Sequence, residues 1–362
     1  MMKHNIKDDA LCKRLLEGLD KGTCNFLAVA YIEERLEEGG FKELHQEEEW
    51  HLERGGRYYF KKNDSAIFAF IVGEDVSAGG FHIISAHSDS PCFKIKPNAE
   101  IYGDGGVVSL NVEKYGGGIL YTWFDRPLSI SGRVMVAGED ALHPRTLLVD
   151  LKRGVATIPH LAIHFNRGVN EGNPLSVQKD MKPVIGYFSE EEIASYKANG
   201  GVVKSLVAYH LEIDPKDILD YELCLYPAEP SGVTGATDEY FQSARIDDLS
   251  MAYGGLEALL ATSASSKATR MLAVFDNEET GSGTKQGAAS PVLRDAIERI
   301  VKLTGSVNGQ DLYRAIANSF MISADNAHAW HPNYNEKYDP TNHPVIGGGP
   351  VIKINANCKY MT

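Results

Sequence analysis

The stretch Met271–Pro291 reads MLAVFDNEETGSGTKQGAASP and joins an apolar run to a group of carboxylates. Its first part, Met271–Phe275, has the length and composition of a buried strand. Residues 276–279, DNEE, follow directly and place three carboxylates at the end of that strand. Such groups lose hydration and repel one another, so a fold tolerates them where a cation sits among them or where one is held partly protonated. A solvated acidic turn is the alternative.

The bulk composition indicates a globular protein with an acidic balance. The chain has 362 residues, of which 43% are hydrophobic and 23% charged, and its formal net charge is -13. This charge argues against a nucleic-acid groove and against binding to an anionic membrane. Acidic residues stand where a signal peptide has its apolar core, and no apolar run is long enough to span a membrane. We therefore expect a cytoplasmic protein without a membrane partner.

Cysteine usage agrees with that expectation. The five cysteines are scattered, odd in number and without a CxxC pair: Cys12, Cys24, Cys92, Cys224 and Cys358. This pattern indicates reduced thiols, and neither a disulfide framework nor a thiolate zinc site.

Hydrophobic periodicity predicts an α/β layer fold that carries a mostly β insertion over about Asn98–Gly235. Before the insertion we predict helices over Lys7–Leu19 and Asn25–Glu38 and strands over Arg57–Lys61, Ala66–Val72 and Phe81–Ala86. Within it we predict strands over Ser129–Val136, Thr146–Leu151 and Ile158–Phe165, and helices over Ser189–Asn199 and Val202–His210. After it we predict helices over Leu249–Ala261 and Ala288–Val301 and strands over Met271–Asp276 and Phe320–Ala324.

Three further stretches of the sequence carry side chains suited to a metal site. His87 and Asp89 follow the strand FHIISA and, being two residues apart, point the same way; a surface turn is the alternative. Asp247 lies near the start of the helix from Leu249, where it is either a ligand or a helix cap. Asp325 ends the strand SFMISA, and a capped turn is its alternative.

These positions share one location in the predicted fold, because each follows a strand or opens a helix. The ends of strands in an α/β sheet are where such folds build their sites. One imidazole and several carboxylates, without thiolate, suit a pair of Zn²⁺, Mn²⁺ or Co²⁺ ions bridged by a carboxylate. Adjacent Glu278 and Glu279 fit two roles, one as a ligand and one as a proton acceptor.

Several long motifs resemble those of one known family, in the family's order and along the whole chain. They are SAHSDSPCFKIKP, YGGGILYTWFDRPLSISGRV, IPHLAIHFNR, ARIDDLS, FDNEETGSGTKQGAASP and SADNAHAWHPNYNEKYDPTNHP. All six resemble the M18 metallopeptidases, the aspartyl aminopeptidases.

The resemblance implies a zinc-exopeptidase fold, a phosphorylase/hydrolase-like mixed-sheet sandwich with an inserted β-rich domain. Residues 1–97 and 236–362 would form the catalytic domain, and residues 98–235 would form the dimerisation domain. Homodimers would assemble into a tetrahedral dodecamer. The implied reaction is removal of an N-terminal Asp or Glu from a peptide by hydroxide bound to two metal ions, which are zinc or else manganese or cobalt.

The resemblance also implies a ligand set. His87 and Asp325 would bind one zinc, Asp247 would bridge the two ions, and Glu279 would bind the second. Glu278 would be the general base. This set matches the residue chemistry, because zinc lowers the pKa of bound water towards about 7 and a free carboxylate can accept its proton.

Four other residues receive roles by resemblance. Asp89 would orient His87, and His164 would reach into a neighbouring subunit's site to bind substrate or stabilise the oxyanion. His328 would lie near the metals, where it contacts substrate, and Lys353 would line the pocket for an acidic side chain. Alternatively, His164 is a histidine whose hydrogen bonds are satisfied within its own subunit, and Lys353 is a solvated lysine.

Members of the family continue beyond the position of Thr362, and a Met-His-Ser motif there supplies the last ligand of the second zinc. From the chain as given we therefore expect one metal bound well, little peptidase activity and an exposed apolar surface.

Two rival functions stay open at this point. One is an aminopeptidase of neutral or broad specificity, because a few side chains decide pocket selectivity. The other is a non-catalytic assembly protein that retains the oligomeric shell of the family and has lost its catalytic activity.

Overall fold

The computed structural model describes residue 6 and residues 9–263, 265–305 and 309–354. The helices in this part of the chain are α1 Ala10–Lys21, α2 Asn25–Glu38, α3 Val76–Gly79, α4 Val177–Asp180, α5 Glu190–Ala198, α6 Val202–Leu211, α7 Ile246–Leu260, α8 Val292–Thr304 and α9 Asp311–Ala317. The strands are β1 Lys42–Glu43, β2 Arg57–Lys62, β3 Ala66–Ile71, β4 Phe81–His87, β5 Cys92–Tyr102, β6 Val107–Tyr115, β7 Leu128–Val136, β8 Arg145–Asp150, β9 Val184–Tyr187, β10 Ile218–Pro227, β11 Gly232–Thr234, β12 Tyr240–Gln242, β13 Thr269–Phe275 and β14 Phe320–Ser323.

The first sheet is mixed and has the strand order β1-β2-β3-β13-β4-β14. Strand β13 runs parallel to β4, with Phe275 opposite His87, and β14 also runs parallel to β4, with Ser323 opposite Ser85. Because the C-terminal ends of parallel strands lie at one edge of a sheet, the residues that follow β4, β13 and β14 are brought together there. His87 ends β4, Glu278 and Glu279 follow β13, and Asp325 follows β14, whereas Asp247 stands at the start of α7.

Helices cover both faces of this sheet. Helices α1, α2 and α7 enclose one apolar core with β3, β4 and β13, and α8 and α9 enclose another on the opposite face. The second core contains stacked aromatic rings, of which Phe60 and Phe68 lie 4.9 Å apart between centroids. The predicted α/β class is confirmed, and packing of α7 against β4 sets the start of α7 beside the end of β4.

The predicted insertion forms a second sheet, which is antiparallel and has the order β8-β7-β10-β5-β6-β9. Its strand β5 begins at Cys92, before the predicted boundary near Asn98. The helix predicted from Ser189 is present as α5, because Ser189 and Glu192 form the expected capping box. The assignment of a dimerisation role to residues 98–235 stays a prediction.

The predicted strand Ile158–Phe165 is wrong. Ile158 makes an isolated bridge to Phe124, and the chain then continues without regular structure into a turn at residues 163–165. Pro159 lacks the N–H that a ladder needs, and the side chains of Leu161, Ile163 and Phe165 are 56%, 48% and 82% exposed, so no sheet face buries this apolar pattern.

Other differences concern ends of elements. Helix α8 begins at Val292 and not at Ala288, because Pro291 fits the start of a helix and would break its interior. Helix α1 begins at Ala10, where the Asp9 carboxylate accepts hydrogen bonds from the backbone N–H groups of Leu11 and Cys12. The predicted start at Lys7 and the thiol of Cys358 lie outside the described residues.

Strand β14 forms one edge of the first sheet and is exposed. Its Phe320, Met321 and Ile322 side chains are 65%, 44% and 51% exposed. An apolar surface therefore lies at this edge. Among the described residues, no helix combines the length and apolar character needed to cross a bilayer.

Candidate metal centre

His87 ends β4, and its buried imidazole is held in place by contacts at Nδ1. Its Nδ1 lies 2.9 Å from the backbone oxygen of Asp89 and 3.3 Å from the Asp89 carboxylate. A carbonyl oxygen can only accept, so Nδ1 carries the proton and donates it to Asp89. The other nitrogen, Nε2, faces Asp247 at 3.5 Å and Glu278 at 3.9 Å. This arrangement leaves Nε2 available as a ligand.

Asp247 and Asp248 stand in the first turn of α7 with opposite environments. The Asp247 side chain is half exposed, whereas Asp248 is fully buried and accepts a hydrogen bond from the backbone N–H of His87. Arg245 precedes them with φ 60°, and its guanidinium donates to the carbonyls of Leu19 and Gly22. The start of α7 is thus tied to both β4 and the end of α1.

Asp325 completes a group of three possible ligands. It follows Ala324, whose N–H donates to the Ser85 carbonyl and continues the pairing of β14 with β4. Ligand atoms of His87, Asp247 and Asp325 all lie within 4.8 Å of one another. One imidazole nitrogen and two carboxylate oxygens form a donor set that suits zinc, manganese or cobalt. The described residues therefore fit one divalent ion at this place.

Asp89 connects His87 to the turn after β13. Its buried carboxylate accepts hydrogen bonds from the backbone N–H groups of Glu278 and Glu279, both at 3.1 Å, and from the Tyr115 hydroxyl at 2.6 Å. Burial opposes ionisation, but the bonds from His87 and Tyr115 outweigh it and lower the pKa of Asp89. The Asp89 carboxylate therefore fixes the position of the His87 imidazole relative to the backbone of Glu278 and Glu279.

The turn after β13 places the three carboxylates of residues 276–279 in different surroundings. Asp276 is buried and accepts a hydrogen bond from the Asn25 amide. Glu278 is exposed and faces His87, whereas Glu279 is half-buried and lies beside Gly116, in the loop that follows β6 of the second sheet. Asn277 permits this turn, because it adopts φ 63° and its amide oxygen accepts bonds from the Thr284 and Gln286 side chains.

The electrostatics of the cluster favour a cation. Burial lowers the pKa of His87, but hydrogen bonds to Asp247 and Asp89 outweigh it and raise this pKa to about 11. The same contact with His87 lowers the pKa of Asp247, whereas burial raises the pKa of Asp248 to about 8. The carboxylates thus attract positive charge to the Nε2 side of the ring, which is where a metal ion would replace a proton.

Comparison with known proteins decides the family. The family model described as "Aminopeptidase I zinc metalloprotease (M18)" matches residues 19–362. The chain belongs to the M18 family. It is therefore a metallo-aminopeptidase by family, and zinc is the metal in the family's description.

Individual M18 proteins agree with this assignment. A Clostridium novyi protein named "Probable M18 family aminopeptidase 2" is 45% identical over 362 residues, which cover 99% of this chain and 81% of that protein. The solved structure titled "Cryo-EM structure of the Ape4 and Nbr1 complex" has a TM-score of 0.94 at 34% identity, covering 100% of this chain and 72% of that one. The structure of the S. cerevisiae mApe1 dodecamer has a TM-score of 0.80 at 25% identity, covering 94% and 77%.

The remaining residues predicted for the M18 site lie in different surroundings. Lys353 donates to the Asp325 carboxylate at 2.8 Å and to the Asn326 carbonyl at 2.7 Å, so it is paired with a predicted ligand. His328 is exposed; after His87 and Lys353, its charge helps to lower the pKa of Asp247. His164 lies in the exposed turn at residues 163–165, and no hydrogen bond or ion pair among the described residues joins its ring to the cluster.

Three residues at this M18 centre were not predicted from the sequence. The pattern Asp247-Asp248 indicates one ligand or helix cap and does not distinguish Asp248, and Asn326 likewise carries no signal of its own beside Asp325. Tyr115 had no local signal, because it lies 162 residues from Asn277 and reaches the site only through the second sheet. Adjacent polar residues were the only available clue to the first two.

Proposed function

We propose that this M18 protein removes acidic N-terminal residues from peptides and uses two divalent metal ions. The observation that carries the proposal is the meeting of His87, Asp247 and Asp325 within 4.8 Å, with the Glu278 carboxylate beside them. These four residues come from four separated parts of the chain: the end of β4, the start of α7 and the segments after β13 and β14. Their convergence at one sheet edge supports hydrolytic chemistry there.

His87, Asp247 and Asp325 would hold the first ion, and Asp247 and Glu279 would hold the second. When bound, zinc supplies a Lewis acid that polarises the scissile carbonyl and lowers the pKa of water. Among the described residues, no imidazole accompanies Glu279, so we expect the second ion to bind more weakly than the first. Activity would then require metal in excess over the protein.

Glu278 would act as the general base. Its side chain is 56% exposed and therefore open to substrate, while its backbone N–H is fixed by the Asp89 carboxylate. A carboxylate held in this way can take a proton from the attacking water and pass it to the leaving amine. Asp89 contributes by keeping the proton of His87 on Nδ1.

Lys353 is the reason to favour acidic substrates over neutral ones. Its ammonium group lies at the cluster and is 45% exposed, so a carboxylate on the first residue of a peptide can reach it. His328, whose charge also acts on Asp247, would contact the substrate as well. A broad specificity would leave this charge without a substrate partner.

We also propose that the protein is a homo-oligomer in which residues 98–235 form the dimer contact. The related mApe1 forms a dodecamer, and the exposed apolar turn around His164 offers a surface for a second subunit. His164 would then act in the neighbouring site. A purely structural assembly protein is less favoured, because it would not need the ligand cluster.

Substrate panels and metal analysis test this function. We expect purified protein to contain zinc, manganese or cobalt and, with excess metal, to hydrolyse Asp- and Glu-p-nitroanilide faster than Leu-p-nitroanilide. Glu278→Gln should lower kcat by about a hundredfold or more at unchanged metal content. The matched change Glu279→Gln should instead lower the content of the second ion.

Three results would contradict the proposal. Protein without bound metal would favour the assembly alternative, and equal rates on the three substrates would favour broad specificity. Full activity of Glu278→Gln would remove the proposed base.

A further inference from the structure

The side chain of Asn326 joins the two segments that carry the carboxylate ligands. Its amide nitrogen donates to the Ile246 carbonyl at 2.9 Å, to the Asp248 carboxylate at 3.3 Å and to the Ser250 hydroxyl at 3.1 Å. Its amide oxygen lies 3.2 Å from the same hydroxyl, which donates to it. Asn326 directly follows Asp325, and its partners flank Asp247.

Asp248 extends this connection to the third ligand. Its side chain is fully buried, and one carboxylate oxygen accepts from Asn326 while the other accepts from the backbone N–H of His87 at 3.0 Å. A buried carboxylate is kept in place by such bonds, because leaving it unpaired is costly. The chain of contacts therefore runs from the end of β14 through the start of α7 to the end of β4.

We propose that Asn326 and Asp248 are positioning residues that set the spacing of His87, Asp247 and Asp325 for metal binding. Each lies next to a ligand in the chain or bonds the backbone of one, and neither carboxylate ligand is buried. Half-exposed side chains can occupy many rotamers, so the fixed backbone positions determine whether three donor atoms meet. This inference rests on the proposed function, because it assumes that the cluster binds metal.

A purely structural role is the competing explanation. Strand β14 is exposed and at the sheet edge, so the same bonds could serve only to hold it against α7. The two explanations differ in what a substitution changes. A structural role affects the stability of the metal-free protein alone, whereas positioning changes the affinity and geometry of the bound ion.

The decisive variant is Asn326→Asp, which keeps the size of the side chain and removes its donors. The new carboxylate cannot donate to the Ile246 carbonyl, so two oxygens with no hydrogen between them would face each other at about the distance of the former hydrogen bond. We expect the dissociation constant of the first Zn²⁺ or Co²⁺, measured by calorimetric titration of the full chain, to rise about ten- to a hundredfold. The absorption spectrum of bound Co²⁺, taken at saturation, should also change because it reports coordination geometry.

Asn318→Asp is the matched control. Asn318 lies at the opposite end of β14, where its amide donates to the Ser77 carbonyl, so the same substitution loses a comparable bond away from the metal. We expect its metal affinity and Co²⁺ spectrum to equal those of the wild type within about twofold. The double variant Asp248→Asn with Asn326→Asp restores one donor to the pair and should recover part of the affinity.

The outcomes separate this inference from the proposed function. Absence of metal binding by the wild type would overturn both. Unchanged affinity and spectrum in Asn326→Asp, or equal losses in Asn318→Asp, would overturn the positioning role and leave the metal centre standing. Should Asn326→Asp fail to fold, Ser250→Ala removes one partner of the amide more gently, and an unchanged dissociation constant there would also overturn the inference.

Discussion

Single side chains at the metal centre differ in how firmly their neighbours fix them. Asp89 and Asp248 are buried and fully bonded, whereas Asp247, Glu278 and Asp325 project from fixed backbones into solvent. The buried pair is suited to orientation, because buried carboxyl groups held by several hydrogen bonds have little freedom. The exposed three are suited to binding ions and substrate, because they are desolvated only when those arrive.

Substitution of Lys353 tests whether its single positive charge determines the preference for acidic substrates. Lys353→Met should lower kcat/KM for Asp-p-nitroanilide by about tenfold or more, because a charge-assisted hydrogen bond to the substrate is lost. The value for Leu-p-nitroanilide should change less than about twofold. Lys337→Met is the control, because Lys337 is exposed in the same part of the chain and has no predicted role. Equal losses on both substrates would show that Lys353 serves Asp325 instead.

At the level of helices and strands, sequence prediction succeeded where the local residue pattern alone determines the element. Helix α2 and strands β2 to β4 follow from periodicity and turn residues. Ile158–Phe165 failed because a strand also needs a neighbour, and the sequence around Pro159 does not reveal one. The sequence predicted that the site residues follow strands or open helices, and in the fold the parallel pairing of β4 with β14 and the packing of α7 against β4 bring His87, Asp325 and Asp247 together.

The contact between α7 and the first sheet depends on a glycine. A Cβ at Gly255 would lie 2.7 Å from Leu272 Cδ1 and 3.0 Å from Ile84 Cγ2, whereas a Cβ at neighbouring Gly254 meets nothing within 4 Å. Both substitutions by alanine gain helix propensity, but only Gly255→Ala overpacks a close-packed core. We expect it to be about 1–3 kcal/mol less stable than Gly254→Ala in urea unfolding. Equal stabilities would mean that α7 can shift without cost.

Across the whole molecule, two sheets contribute to one centre, and this could not be predicted. Tyr115 ends β6 and forms hydrogen bonds with both Asp89 and Asn277, while Gly116 lies beside the Glu279 side chain. Sequence separation hides such contacts, because no local pattern marks a residue whose partner lies on the other sheet. The family resemblance supplied the ligand roles but not these connections.

Metal binding should stabilise the folded chain as a unit. A ligand that binds only the native state adds about 2.7 kcal/mol at a hundred times its dissociation constant. We therefore expect the thermal midpoint to rise with added Zn²⁺ or Co²⁺ and to fall back with EDTA. Asp325→Asn should show a clearly smaller rise, because one of the three ligands is weakened. Equal rises in both proteins would place the stabilising ion elsewhere.

The hydroxyl of Tyr115 also limits how freely the two halves of this protein can be recombined. A chimera that takes residues 98–235 from a distant relative replaces one wall of the candidate metal centre together with the inserted segment. Such a hybrid would keep all its ligands and still inherit an unfamiliar neighbour for Asp89 and Glu279. A domain exchange that leaves this centre unchanged would therefore have to keep β6, which lies inside the inserted segment.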